Sequence, residues 1–122
     1  MITPLARNLF SKRIAEINNY AQNAEQIQRE QLNILLSKAI STEFGRDNQF
    51  NKINSAEEFA KRLPIFTYET IQPYIEKMVK GEKDVLWKGR VKYFAQSSGT
   101  TDAKSKYIPV SDESFKTMHF RG

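Results

Sequence analysis

Apolar positions recur at helical spacing along the first forty residues. Leu5, Leu9, Phe10, Ile14 and Ile17 share one broad face with polar residues between them. The spacing predicts a helix that opens with Thr3 as N-cap and Pro4 in its first turn, where a missing N–H costs nothing. It is expected to end near Asn18 and Asn19. A second stripe, Ile27, Ile34, Leu35, Ala39 and Ile40 widened by Leu32 and Leu36, predicts a longer helix over residues 24–44. Gly45 stands where a left-handed C-cap would close it. Two stripes in succession imply an antiparallel helix pair, with Leu35 in the core. Ordinary core packing is preferred to a coiled-coil partner surface.

The next stretch is punctuated. Ser55, Ala56, Glu57 and Glu58 have the form of a capping box that starts a short helix carrying Phe59. Pro64 is expected to terminate that helix. Thr67 caps another turn, Pro73 restarts the helix through Ile75, Met78 and Val79, and Gly81 closes it. Residues 63–81 read as a compact connector without linker composition. After Asp84 the period changes. Val85, Leu86 and Trp87, then Val91, Tyr93 and Phe94, are β-formers broken by Gly89. The strongest strand is expected at 90–95 and a second at 106–110, with a polar loop between them. Ser111 followed by Asp112 and Glu113 marks a helix start, acidic residues complementing its dipole. The predicted fold class is α/β. A helical N-terminal segment, 3–82, leads into the first strands, 85–110, of a larger, here incomplete, mixed sheet, and a helix begins over 111–122. Two strands cannot bury a sheet face unaided. The expectation is therefore a domain that continues past Gly122 or packs on something else.

Composition narrows this picture. The 122 residues, 39% hydrophobic and 27% charged, suit one small domain. With no cysteine, disulfides and thiolate zinc sites are excluded, and a cytoplasmic protein is expected. The single histidine, His119, gives no basis for a metal cluster or a catalytic triad, so no metal-ligating residue is assigned. No apolar run approaches the roughly 18–20 residues of a membrane span, and the N-terminus does not read as a secretory signal. The charge is uneven. Residues 1–76 hold nine Lys/Arg and nine Asp/Glu, whereas residues 77–122 hold ten and five, so the whole net charge of +5 lies in the last part. Such a field attracts phosphate, of a nucleotide or of nucleic acid, or is simply a solvated basic surface.

One stretch carries recognisable chemistry. From Gln96 to Lys106 the chain supplies what a polyphosphate-wrapping loop needs. Gly99 allows close backbone approach. Ser97, Ser98, Thr100 and Thr101 supply hydroxyl donors, and Lys104 and Lys106 supply cations. On composition alone a plain surface loop is the better reading. The Walker spacing is absent, and one glycine cannot make the dinucleotide fingerprint.

Ser97-Ser98-Gly99-Thr100-Thr101 followed by lysine resembles the phosphate loop of the acyl-adenylate-forming superfamily, which includes firefly luciferase and acyl-CoA synthetases. The flanks narrow the resemblance. Thr42-Glu43-Phe44-Gly45, Leu63-Pro64-Ile65 with Tyr68-Glu69, Pro73-Tyr74-Ile75, Gly81-Glu82 with Leu86-Trp87, and Ser105-Lys106-Tyr107-Ile108-Pro109-Val110-Ser111 stand in order around the loop. This set is similar to the N-terminal region of the auxin-responsive acyl-acid amido synthetases of plants and their bacterial homologues, from about Gln31 onward. One departure stands out. The superfamily has glycine after the second threonine and a lysine three positions further. Here Asp102 fills the first place and Lys104 and Lys106 flank the second, so the resemblance leaves open which lysine meets phosphate. An Asp beside polyphosphate repels it unless it points away or meets a metal.

The resemblance implies an ATP-dependent ligase. A carboxylic acid is activated as an acyl-adenylate, and an amino-acid amine then takes the acyl group. The partners it implies are ATP with Mg²⁺, a carboxylic acid and an amino acid. It implies phosphate contacts from Ser97, Ser98, Gly99, Thr100 and Thr101, with Lys104 and Lys106 behind them. Other catalytic residues are unassigned, and the family's remaining parts are expected beyond Gly122, so this stretch alone is expected to be inactive. The alternative is a non-enzymatic helical module whose basic tip binds RNA or a protein partner, with Trp87, Tyr93, Phe94 and Tyr107 available to stack on bases. Nucleic acid is the weaker reading, because Trp87, Tyr93 and Phe94 fit a core better.

Overall fold

The structure, a computed structural model, describes residues 4–97 and 105–119, apart from the side chains of residues 5, 6, 9 and 117–119. The chain divides into two units, Met1–Ile34 and Leu35–Gly122.

In the first unit α1, Pro4–Gln22, starts at the expected proline and runs on through both asparagines. Asn23 Nδ2 donates to Asn19 Oδ1 at 2.8 Å, so these amides pair along the helix instead of breaking it. The helix α2, Ala24–Ala39, begins after Asn23. Phe10, Ile14 and Ile17, of the stripe expected to pack in an antiparallel pair, are each more than half exposed, as is Tyr20.

In the second unit α2 ends five residues earlier than its apolar spacing suggests. Leu36 and Ala39 are buried while Leu35 is 49% exposed, which corrects the expectation that Leu35 is core. Thr42 then caps a new helix, α3, Glu43–Asp47. Its side chain, 0% exposed, donates to Ala39 O at 2.7 Å and accepts from Gly45 N at 3.0 Å. Gly45 is therefore inside a helix and is no C-cap. It is glycine for space, because a Cβ there would lie 2.0 Å from Ala39 O. Thr42→Val keeps the shape but leaves the Gly45 N–H buried without its partner. It is expected to cost about 1–3 kcal/mol, with Thr42→Ser much milder, as measured by chemical denaturation.

Following α3, a 3₁₀ turn, Phe50–Lys52, leads to α4, Ala56–Arg62. Ser55 caps α4, and Glu58 reaches back one residue further than a standard capping box, to the N–H of Asn54 at 2.7 Å. The helix α5, Tyr68–Val79, has the Thr67 cap, with Thr70 completing its capping box. Pro73 lies inside α5 and does not restart it; the helix gives up the one rung a proline cannot donate. Gly81, at φ +91°, closes α5. Its N–H donates to Met78 O and the Glu82 N–H to Lys77 O, the two bonds of a Schellman motif.

Residues 85–87 are no strand. Their backbone is used elsewhere: the first N–H groups of α3, on Glu43 and Phe44, donate to the carbonyls of Asp84 (2.7 Å) and Val85 (3.1 Å). The bend closes through Asp84 N to Gly89 O at 3.0 Å and Gly89 N to Asp84 Oδ1 at 2.7 Å. Val85 is 1% exposed and forms a core with Met78 and Val91, against which Tyr74, Leu86, Trp87 and Phe94 pack. Beside it Phe44 meets Phe50, Phe66 and Tyr74 edge-on at 5.2–5.7 Å.

The described strands, β1, Tyr93–Gln96, and β2, Tyr107–Val110, pair antiparallel and start and end within a few residues of expectation. Ser111 caps α6, Asp112–His119, by accepting from Ser114 N at 3.0 Å. The described residues thus form a mostly helical α/β assembly, with a helical N-terminal segment leading into a two-stranded sheet.

The Tyr74 hydroxyl donates to Asp47 Oδ2 at 2.7 Å. That bond, with partial burial and the charges of Asp47 and Glu43, pushes its phenol up to about 12. A raised folded-state pKa favours the protonated phenol, so its contribution to stability is complete below pH ~10 and is lost as pH rises towards about 12. Asp47→Asn is expected to bring one tyrosine's ionisation back towards pH ~10 and to flatten the loss of stability in that window. Ultraviolet titration beside alkaline denaturation checks both.

Candidate functional site: the base of the β1–β2 hairpin

The polar run singled out by sequence connects two antiparallel strands. Tyr93 pairs with Val110, Phe94 with Pro109, Ala95 with Ile108 and Gln96 with Tyr107. Ser97 N donates to Lys106 O at 3.0 Å, extending the ladder one step towards the loop. Ser97 and Lys106, the first and last of the residues proposed to hold phosphate, therefore stand side by side at one end of the hairpin. Of the residues proposed from sequence to hold phosphate, the structure brings these two together. Ser98, Gly99, Thr100, Thr101 and Lys104 lie outside the described residues, as does Asp102.

The register explains two further features. In an antiparallel ladder hydrogen-bonded and non-bonded pairs alternate. With Ser97 and Lys106 bonded, Gln96–Tyr107 and Phe94–Pro109 are non-bonded pairs, and the outer edge of β2 carries their main-chain groups. Pro109 has no N–H to offer that edge, so it is tolerated there. The N–H of Tyr107 does have a partner: it donates to the Tyr68 hydroxyl at 2.9 Å.

Tyr68 opens α5, and Glu69 follows it. The Lys106 ammonium lies 3.7 Å from Glu69 Oε1 and 5.0 Å from the centre of the Tyr68 ring. The Glu69 carboxyl is held below its ordinary range, first by its own backbone N–H, then by the Thr67 side chain, with Lys106 adding to both. Negative charge in a helix's first turn is also favoured by the dipole. Between α5 and the start of β2 runs an open cleft of about 650 Å³, lined by Tyr68, Glu69, Gln72, Ile75, Glu76, Val79, Lys80, Ser105, Lys106 and Tyr107.

Three of the four aromatic residues offered for base stacking, Trp87, Tyr93 and Phe94, have other contacts. Trp87 and Phe94 pack on the core, Lys38 sits 5.7 Å from the Trp87 ring centre, and Tyr93 stacks on Phe115 at 5.4 Å. Among the described residues no three His, Cys, Asp or Glu side chains come together where they could hold a metal ion. No described helix is long and apolar enough to cross a membrane.

Tyr68 and Glu69 were not assigned a role from sequence. No spacing rule links residue 68 to residue 106, and the one signal was their place among the motifs of the family resemblance.

Comparison with known proteins gives a consistent set. Residues 13–122 match the model of the GH3 family N-terminal domain. The chain is 31% identical over 98 residues, 80% of its length, to indole-3-acetic acid-amido synthetase GH3.5 of Arabidopsis thaliana. It is 30% identical over 84% of its length to jasmonoyl–L-amino acid synthetase JAR6 of Nicotiana attenuata. It is 28% identical over 91% of its length to 4-substituted benzoates-glutamate ligase GH3.12 of Arabidopsis thaliana. The matched segment spans 16%, 18% and 19% of those three proteins.

Proposed function

This chain belongs to the GH3 family, and from that membership we propose that it is the N-terminal part of the adenylate-forming domain of an ATP-dependent ligase. In the proposed reaction a carboxylate oxygen attacks the α-phosphate of ATP, giving an acyl-adenylate and releasing pyrophosphate. An amino-acid amine then attacks the acyl carbon. The C–N bond forms, AMP leaves and the amine loses a proton.

This segment's task is the first step. The loop between β1 and β2 holds the β- and γ-phosphates in line and stabilises the charge that builds on the departing pyrophosphate. Ser97, Ser98, Gly99, Thr100 and Thr101 make the contacts, with a lysine of the loop region as the cation. The observation that carries the reading is the Ser97–Lys106 bond at the hairpin base. It supports the reading because it holds together the two strand ends that the hydroxyl-rich run connects. Mg²⁺ is what the family resemblance implies, and among the described residues no three His, Cys, Asp or Glu side chains come together to hold it.

In the enzyme that carries this segment, Ser98→Ala and Thr100→Ala are each expected to slow ATP–pyrophosphate exchange, by up to the order of 10²–10³ if the hydroxyl acts as an oxyanion-type donor. Amide formation from preformed acyl-adenylate should stay near the parent rate, because the phosphates that the loop holds have already left. Equal loss in both assays would make the loop a structural element.

A further inference from the structure

The phosphate-loop reading leaves unexplained why α5 begins with Tyr68 and Glu69 facing the loop's exit. We propose that these two are positioning residues for the loop: with Lys106 they clamp the start of β2 onto the first turn of α5. The proposal rests on the phosphate-loop reading and extends it to residues outside the loop.

Three contacts make the clamp. The Tyr68 hydroxyl accepts the outward N–H of Tyr107, a group that β1 cannot reach in this register. The Tyr68 ring lies under the Lys106 ammonium, and Glu69 pairs with the same ammonium. Two consecutive residues at the loop's exit are thus held by two consecutive residues of a helix. Glu69 stands in the first turn of α5, directly after Tyr68. At the loop's other end Ser97 is fixed to β2 by its N–H. Fixing where the loop's two ends sit is the kind of positioning, remote from the reacting atoms, that affects rate.

The charged partners are largely open to solvent, with the side chains of Lys106 and Glu69 45% and 71% exposed. Exposed pairs of this kind add little to global stability. Their effect is local, on where the exit strand points. The geometry also assigns Lys106 to the clamp, because its ammonium is directed to α5.

The test uses the full-length enzyme with ATP as the probe. Tyr68→Phe and Glu69→Gln should each raise the KM for ATP in pyrophosphate exchange by roughly tenfold, less than the ~10²-fold cost of a 1 Å misplacement. Thermal melts and amide formation from preformed acyl-adenylate should be unchanged. Glu69→Lys and Lys106→Glu should each impair exchange, and the double variant should recover most of it by rebuilding the pair in reverse. If Lys106 instead met the polyphosphate, the double variant would stay as impaired as Lys106→Glu, and the clamp would be wrong. A fall in the KM for ATP in Glu69→Gln would overturn it too, showing that Glu69 only withholds the lysine. Gly99→Val separates the two levels. If it abolishes exchange while Tyr68→Phe and Glu69→Gln leave KM unmoved, the clamp fails and the phosphate loop stands. If Gly99→Val has no effect, the phosphate-loop reading fails and the clamp fails with it.

Discussion

Gly99→Val is expected to slow ATP–pyrophosphate exchange by at least the order of 10²–10³, equivalent to about 2.7–4 kcal/mol of transition-state stabilisation, the scale of losing one oxyanion donor. Amide formation from preformed acyl-adenylate should remain near the parent rate. Gly99 is the one glycine in a run of hydroxyl and cationic residues. A loop that wraps phosphate brings its backbone N–H groups close to the ligand, and a branched side chain at that point both blocks the approach and narrows the accessible backbone angles. Substituting glycine should therefore do at least as much harm as deleting one hydroxyl, since it displaces several donors together. The two assays divide the reaction where pyrophosphate leaves. An equal loss in both would mean that the loop serves the fold or both steps. No loss in either would remove the phosphate-binding assignment.

Gly45→Ala should unfold the domain more readily, by about 3 kcal/mol or more, at or beyond the upper end of ordinary overpacking. At roughly 2–8 °C per kcal/mol for domains of about 60–250 residues, the melting temperature should fall by more than about 6 °C. The sign makes this informative. Gly45 lies within α3, and in an exposed helix interior alanine is better than glycine by about 1 kcal/mol. Here the added methyl meets backbone: Ala39 O at 2.0 Å and Ala39 C at 2.9 Å, with Thr42 Oγ1 at 3.2 Å. Ala39 O cannot move freely, because it accepts from both the N–H and the hydroxyl of Thr42. Thr42 is fully buried, and α3 is tied at its start to the carbonyls of Asp84 and Val85. Circular dichroism melts measure the effect. A change of less than about 2 °C, no more than 1 kcal/mol produces, would show that the α2–α3 junction relaxes.

What the sequence determined by itself is local. Ser55, Thr67 and Ser111 cap their helices and Gly81 ends α5, because each motif closes within about five residues and needs no distant partner. The two strands were legible for the same reason, since β-formers flank a polar, hydroxyl-rich run. The tertiary structure decided what depends on distant groups. Gly45 read as a C-cap until the turn after α2 brought Ala39 O against its α-carbon. Val85 to Trp87 have strand propensity, but the adjacent backbone carbonyls satisfy the orphan N–H groups of α3, and burial of Val85 against Met78 and Val91 outweighs that propensity. Apolar spacing placed Leu35 and Leu36 on one broad face, and only packing chose Leu36 for the core. The contacts of Tyr68 and Glu69 with the loop's exit belong to the same class. They join a helix start to a strand start far along the chain, through an edge N–H whose direction is set by the register of β1 and β2. A capping residue meets its partner within one turn, whereas Tyr68 meets Tyr107 across two elements that only the packing of α5 beside the hairpin brings together.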